Sequence, residues 1–204
     1  MLTDRTRVRR RANRGAYDPA VIHAILDEAL VCHVALPGPL VIPTTHVRIA
    51  DTLYLHGAAA SQMLTALADG IEACVAVTLL DALVLGRTAF HHSVNYRSVV
   101  MFGRARLVTD DLHKRRALTA LVDKVAPGRS ADCRPPDDHE LAATKLVAFP
   151  IEEASAKIRT GPPVGEDGPD ASLPFWSGIV PLVTVRGKPE PAPDCRHPLP
   201  SNLG

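Results

Sequence analysis

The chain has 204 residues, 23 Lys plus Arg against 22 Asp plus Glu, a formal net charge of +1, and 46% apolar residues with only 4% aromatics. That length allows one medium domain or two small ones with a buried core, and the near-neutral balance excludes a molecule built as a whole to bind nucleic acid. No apolar run is long enough to cross a bilayer, so a soluble protein without a membrane partner is expected. Val, Leu and Ala carry most of the burial, which suits a small β-rich or α+β fold.

The first dense feature is RTRVRRRANR, Arg5 to Arg14. No apolar core follows it directly, so it is not an export signal. Residues 1–14 are expected to form a flexible basic arm folding back on the protein's own surface, with RNA, a membrane or an acidic partner as the competing readings. Asp18-Pro19 then supplies an N-cap and a proline at the first helical position. Val21, Ile22, Ile25, Leu26 and Ala29 recur at helical spacing, predicting an amphipathic helix that ends near Leu30. VCHVAL (Val31 to Leu36) and LVIPTTHVRI (Leu40 to Ile49) flank the turn Pro37-Gly38-Pro39 and read as a hairpin. TLYLHG and the small residues Gly57 to Ala60 lead into a helix from Ser61 that stops at Gly70. The free N–H groups of such a strand-to-helix turn, at the positive end of the helix dipole, can hold an anion.

Ile71 to Leu80 is almost continuously apolar and predicts a strand buried on both faces. It leads to AFHHSVNYRS, two His, an Asn, a Tyr and an Arg close together before SVVMFGRARLV. A strand with no site to serve gains nothing from such a cluster, since each side chain must find a partner or stay wet. Adjacent His91 and His92 would point to opposite sides of an extended chain, so they are not expected to share one metal, although either can be an axial haem ligand.

Asp110 caps a long helix with a predicted inner face of Leu112, the Arg115 stem, Leu118, Leu121, Val122 and Val125. DHELAAT is a short helical turn and KLVAFPI another strand. Few, non-repeating helices among strands predict a closed β-barrel with helices outside it. The turn-rich last quarter carries the single Trp, either a plug for a core edge or a wall for a ring-shaped ligand. Residues 187–204 form a Pro-rich tail unable to fold alone, which leaves 15–186 as the domain. Cys32, Cys74, Cys133 and Cys195 fall in no zinc or redox spacing, so no metal site is signalled and a reducing cytoplasm fits best.

In their order, PTTHVRIADTLYLHGAAAS, VTLLDALVLGRTAFHHSVNYRSVVMFG, SAKIRTGPP and FWSGIVPL resemble the flavin-binding split-barrel family, whose best known members are the pyridoxamine 5'-phosphate oxidases. The likeness runs from about Arg9 to Leu182 and is nearest to the branch that includes the 5-nitroimidazole-resistance proteins. It implies a mainly β fold with flanking helices, a six-stranded antiparallel split barrel, and a homodimer holding FMN in the clefts between subunits. The strand matching Pro43, Thr45, His46, Val47 and Arg48 would lie along the isoalloxazine ring. His56, Gly57, Ser61 and Gln62 would reach the ribityl and phosphate, and Tyr96, Arg97 and Ser98 would border the flavin from the partner. Trp176 would stand against the cofactor.

The family's basic residue near Ser61 or Gln62 is missing, so the resemblance leaves the phosphate to a cation from elsewhere, with Arg48, Arg97 and Lys157 as candidates. Its Arg-x-His pair is also missing, since Ile179 to Leu182 are apolar, so pyridoxamine phosphate oxidation is not implied. What is implied is an FMN-dependent oxidoreductase acting on a small molecule, with NAD(P)H as electron source and no residue singled out as general acid or base. Without a GxGxxG fingerprint, nicotinamide would bind transiently over the flavin. A flavin carrier or sensor, and a haem- or deazaflavin-binding split barrel, are the alternatives. On the main reading Arg97→Ala weakens flavin retention, and removal of residues 1–14 leaves flavin bound.

Overall fold

The computed structural model describes residues 2–200. The elements run β1 (Gly15–Ala16), α1 (Pro19–Glu28), β2 (Val31–Leu36), β3 (Leu40–Ile49), β4 (Thr52–Ala58), α2 (Gln62–Ala68), β5 (Glu72–Leu85), β6 (Ser93–Arg104), β7 (Arg106–Leu107), α3 (Asp111–Val125), α4 (Asp138–Ala143), β8 (Thr144–Pro150), β9 (Glu153–Arg159) and β10 (Gly178–Pro181). All strand pairs are antiparallel, in the order β1-β9-β6-β5-β2-β3-β4-β8-β7, with β10 also on β5. The sheet therefore has ten strands where six were expected. Among the additions, β1 and β7 are two-residue edge strands and β10 comes from the turn-rich last quarter.

Local chemistry sets the boundaries. Asp18 accepts the Ala20 N–H at 2.9 Å and Pro19 opens α1, which buries Ile22, Ile25 and Leu26 and stops at Glu28. The β2–β3 hairpin pairs Val31 with Thr45 through Leu36 with Leu40, and Gly38 turns it at φ +88°. Strand β3 then changes partner, because His46 to Ile49 pair with β4. One long strand thus serves two stretches of sheet, and this lets the sheet curl around its core.

Strand β5 is buried on one face, not two. Ala73, Val75 and Val77 point inward, and after a bulge at Asp81 the inward set becomes Ala82 and Val84. The extra residue reverses the alternation and re-aims the strand.

The main core is built from Leu53, Leu55, Val75, Met101, Val147 and Phe149, closed by α1 and α2. A second layer, Val47, Tyr54 and Leu146 with Ala117, Leu118 and Leu121, lies between β3-β4-β8 and α3. The predicted face of α3 holds at Leu118 and Leu121 but not at its ends: Leu112 is 75% and Val125 52% exposed, while Ala117 is fully buried. A small residue at the contact lets the helix approach the sheet closely, and Leu112 and Val125 lie at the helix ends beyond it.

Residues 182–200 carry no helix or strand. Among the described residues no helix is long and apolar enough to cross a membrane.

Candidate functional site

The arm is not a free tail. Arg5 bridges Glu72 and Glu153 and lies 4.7 Å over the Phe102 ring, while Thr6 is buried. The left-handed Arg11 (φ 58°) turns the chain into β1, whose pairing of Gly15 with Lys157 sets Arg10, Arg11 and Arg14 beside the β9 edge. Across β9 and β6, Tyr96 faces Arg159 and Ser98 faces Lys157. Directly opposed residues share a face of the sheet. The remaining walls are Phe90 to Ser93, in front of β6, and Val164-Gly165, beyond β9; together they enclose a cleft of about 740 Å³.

The charge of this cleft is one-sided. Arg10, Arg11, Arg14 and Lys157 form no ion pair among the described residues, and no carboxylate lines the cleft with them. Buried Arg159 donates to Asn95 Oδ1 and, at 3.3 and 3.4 Å, to the carbonyls of Gly161 and Pro162; Asn95 Nδ2 also donates to Gly161 at 3.1 Å. Burial, and then the charge of Arg14, pull the Arg159 pKa below its ordinary value. Cations gathered without a counter-charge repel one another, and an anion bound among them relieves that cost.

The histidines do not lie in an extended chain as expected. Ala89–His91 is a 3-10 turn, closed by the His91 N–H on the Thr88 carbonyl at 3.1 Å. The turn packs tightly on Gly86, where a Cβ would stand 2.6 Å from His91 Cβ and 2.8 Å from Glu166 Oε1. Glu166 ties the loop after β9 to this turn, accepting from the Arg87 backbone and guanidinium and from Ser177 Oγ at 2.5 Å. The Ser177 hydrogen bond holds its carboxyl below the usual range.

Of the residues assigned from the resemblance, Tyr96 and Lys157 line the cleft, and Ser98 shares their face, its Oγ 3.2 Å from the Lys157 carbonyl. Arg97 lies on the other face, with its guanidinium held by Asp81 (2.7 Å) and Glu28 (2.8 Å). Arg48 is likewise engaged by Asp27 at 2.8 Å and the Ala50 carbonyl at 2.7 Å. His46 is in the core, Nε2 2.9 Å from the Leu26 carbonyl; burial and then the charge of Lys124 push its pKa down to about 4. Val47 packs under α3, while Pro43 is exposed and Thr45 half-buried on the hairpin half of β3.

His56 is half-buried, its Nδ1 without a partner, and burial lowers its pKa. A Cβ at Gly57 would come 3.1 Å from Leu64, so glycine lets α2 pack. Ser61 Oγ accepts the Leu64 N–H at 3.3 Å, and Gln62, the first residue of α2, is exposed. Trp176 is exposed and folds back on Gly178, where a Cβ would meet its ring at 2.8 Å. It does not line the cleft.

Sequence reasoning missed Arg159 and the placing of the arm, for which only the density of arginines was a signal. It also missed Lys145, which pairs across from Gly57 and donates to Thr65 Oγ1 at 2.6 Å. That puts a cation at the first turn of α2, where the local sequence has none.

A split antiparallel barrel with outer helices and a cation-lined cleft at one edge is the class that this fold and site define. Residues 18–158 match the family model described as pyridoxamine 5'-phosphate oxidase, and the chain belongs to that family. It is similar to the flavocytochrome Anf3 from Azotobacter vinelandii, with 37% identity and a TM-score of 0.91 over 98% of this chain and 95% of that one. It is also similar to the FAD and haem binding protein from Mycobacterium smegmatis, with 36% identity and a TM-score of 0.88 over 93% and 95%. A protein provisionally assigned to 5-nitroimidazole antibiotic resistance in Bacteroides thetaiotaomicron shares the fold, at 22% identity and a TM-score of 0.59 over 71% and 86%. No curated protein matches the chain.

Proposed function

We propose that this chain is a flavoprotein that also holds a haem, and that it is an oxidoreductase acting on a small molecule. The observation that carries this is the cleft itself: five cations without a carboxylate among them, next to two histidines, in a chain more than a third identical over nearly its whole length to a flavocytochrome and to a protein described as binding FAD and haem. FAD brings a diphosphate and haem two carboxylates, and both need cations of this kind. FAD, which the Mycobacterium smegmatis protein is described as binding, is favoured here over FMN.

Such a pair supplies two-electron and one-electron chemistry in one protein. The chain's own part is to bind and orient. Arg10, Arg11, Arg14, Lys157 and Arg159 would neutralise the acidic groups, and Tyr96 and Phe90 would offer rings beside them. The wall of Pro43, Thr45, Arg48, His56, Gly57, Ser61 and Gln62, with Lys145 next to its helix end, remains the proposed flavin face. A second copy of the chain would complete that face, and the exposed Leu80 and Leu83 of β5, with Val180 of β10 directly opposite Leu83, offer it an apolar surface. NAD(P)H is the proposed electron source, and the unpaired cysteines suit a reducing cytoplasm.

The test is the absorbance spectrum of freshly isolated protein, with mass identification of what it releases on denaturation. Flavin bands together with a Soret band and released FAD are expected. A colourless protein that rejects added flavin and hemin refutes the reading, and release of FMN alone restores the simpler one. NAD(P)H oxidation by the coloured protein then separates an enzyme from a carrier.

A further inference from the structure

His92 follows the 3-10 turn, and its Nδ1 lies 3.0 Å from the Thr88 carbonyl oxygen. A carbonyl can only accept, so Nδ1 carries the proton and the neutral ring has a bare lone pair on Nε2. The ring is exposed and lines the cleft. A backbone carbonyl on one nitrogen is the outer contact that orients a metal-ligating imidazole and raises its basicity.

His91 is placed differently. Its Nδ1 meets the Thr88 hydroxyl at 3.0 Å, and a Cβ on Gly165 would lie 3.4 Å from its Nε2, so the loop after β9 covers that edge.

A lone imidazole makes a poor site for a bare metal ion, and among the described residues no group of three His, Cys, Asp or Glu could hold one. It suits an iron whose other ligands come with it, as in a macrocycle. Phe90, the middle residue of the turn, is 89% exposed, and the free Arg10, Arg11, Arg14 and Lys157 face the same cleft. Its volume of about 740 Å³ is in the range of cofactor sites.

We propose that His92 is an axial ligand of haem iron through Nε2, with the arginine arm holding the haem carboxylates. This rests on the haem reading above.

The experiment is a hemin titration of the full-length wild type, His92→Ala and His91→Ala, followed by absorbance, with flavin released and quantified separately. Wild type should develop a Soret band. His92→Ala should bind hemin at least about tenfold more weakly, since even outer-contact losses cost 10–100-fold. It should keep its flavin and melting temperature, and regain the wild-type Soret position with added imidazole. His91→Ala should keep the band.

An unchanged Soret band and affinity in His92→Ala overturn the assignment while leaving the haem reading intact, as does a loss confined to His91→Ala. Loss of flavin and fold along with haem in His92→Ala also overturns it, because His92 would then be supporting structure. A wild type that shows no Soret band overturns the haem reading itself.

Discussion

His46 and Lys124 donate to the same oxygen: His46 Nε2 lies 2.9 Å and Lys124 Nζ 2.7 Å from the carbonyl of Leu26. Leu26 is in the last turn of α1, where carbonyls lack helical partners and the dipole is negative. One oxygen therefore ties α1 to β3 and α3. Burial leaves Lys124 less basic, with a pKa of about 8, and pushes the Cys32 thiol up to about 12.

The acid limb of stability follows from this contact. His46 has a folded pKa of about 4 against an ordinary 6.5, so the unfolded chain binds the extra proton in that window. The contribution is complete above about pH 6.5 and is lost as pH falls towards 4, a loss of roughly 3 kcal/mol. Lys124 and Cys32 stay protonated in both states there and add nothing. Urea unfolding from pH 7 to 4 should show this fall, and His46→Gln, which keeps an N–H but does not titrate, should flatten it.

Arg97→Ala should act on stability. The guanidinium joins Glu28 at the end of α1 to Asp81, the bulged residue of β5, and its loss leaves two carboxylates without their shared cation. The site is part-exposed, so a cost of about 1 kcal/mol is expected. Flavin content should follow the melting temperature. This replaces the prediction of weaker flavin retention made from the resemblance; flavin loss at unchanged stability would reinstate it.

The arginine arm should matter for cofactor binding. Replacing Arg10, Arg11 and Arg14 together with Ala, leaving the Arg5 bridge to Glu72 and Glu153 in place, is expected to weaken anionic cofactor binding by about tenfold or more. The salt dependence of the titration should fall with it. Unchanged affinity would return the arm to the dispensable role that its composition alone suggested.

Gly86→Ala should disturb the His turn from behind. The added methyl would meet His91 Cβ at 2.6 Å and its carbonyl carbon at 3.1 Å, atoms that cannot swing aside. Overpacking of this kind costs about 1–3 kcal/mol. A lower melting temperature with a shifted cleft spectrum is expected, and a wild-type melt would show that the turn yields.

The elements were legible where side chains act on their own backbone. Asp18, Ser61 and Asp110 cap the helices predicted for them, and the Pro37-Gly38-Pro39 turn gives the hairpin. The inner face of α3 was legible in Leu118 and Leu121 but not in Ala117, a small residue that takes the buried position while Leu112 stands exposed. Nor was the single buried face of β5 legible: Cys74 and Ala76 are as apolar as Ala73, Val75 and Val77, and only packing against the core separates the two sets.

Alone, the sequence determined the strand-rich class, the helix starts, the family likeness and the presence of an unusual polar cluster, since each is written in neighbouring residues. Tertiary structure decided what that cluster faces. Two residues of β1 pairing on β9 carry arginines from the first fifteen positions to a lysine at 157, and β8 brings Lys145 to Gly57. Charge at a site is summed over space, so it emerged only when strands distant in the chain were laid side by side.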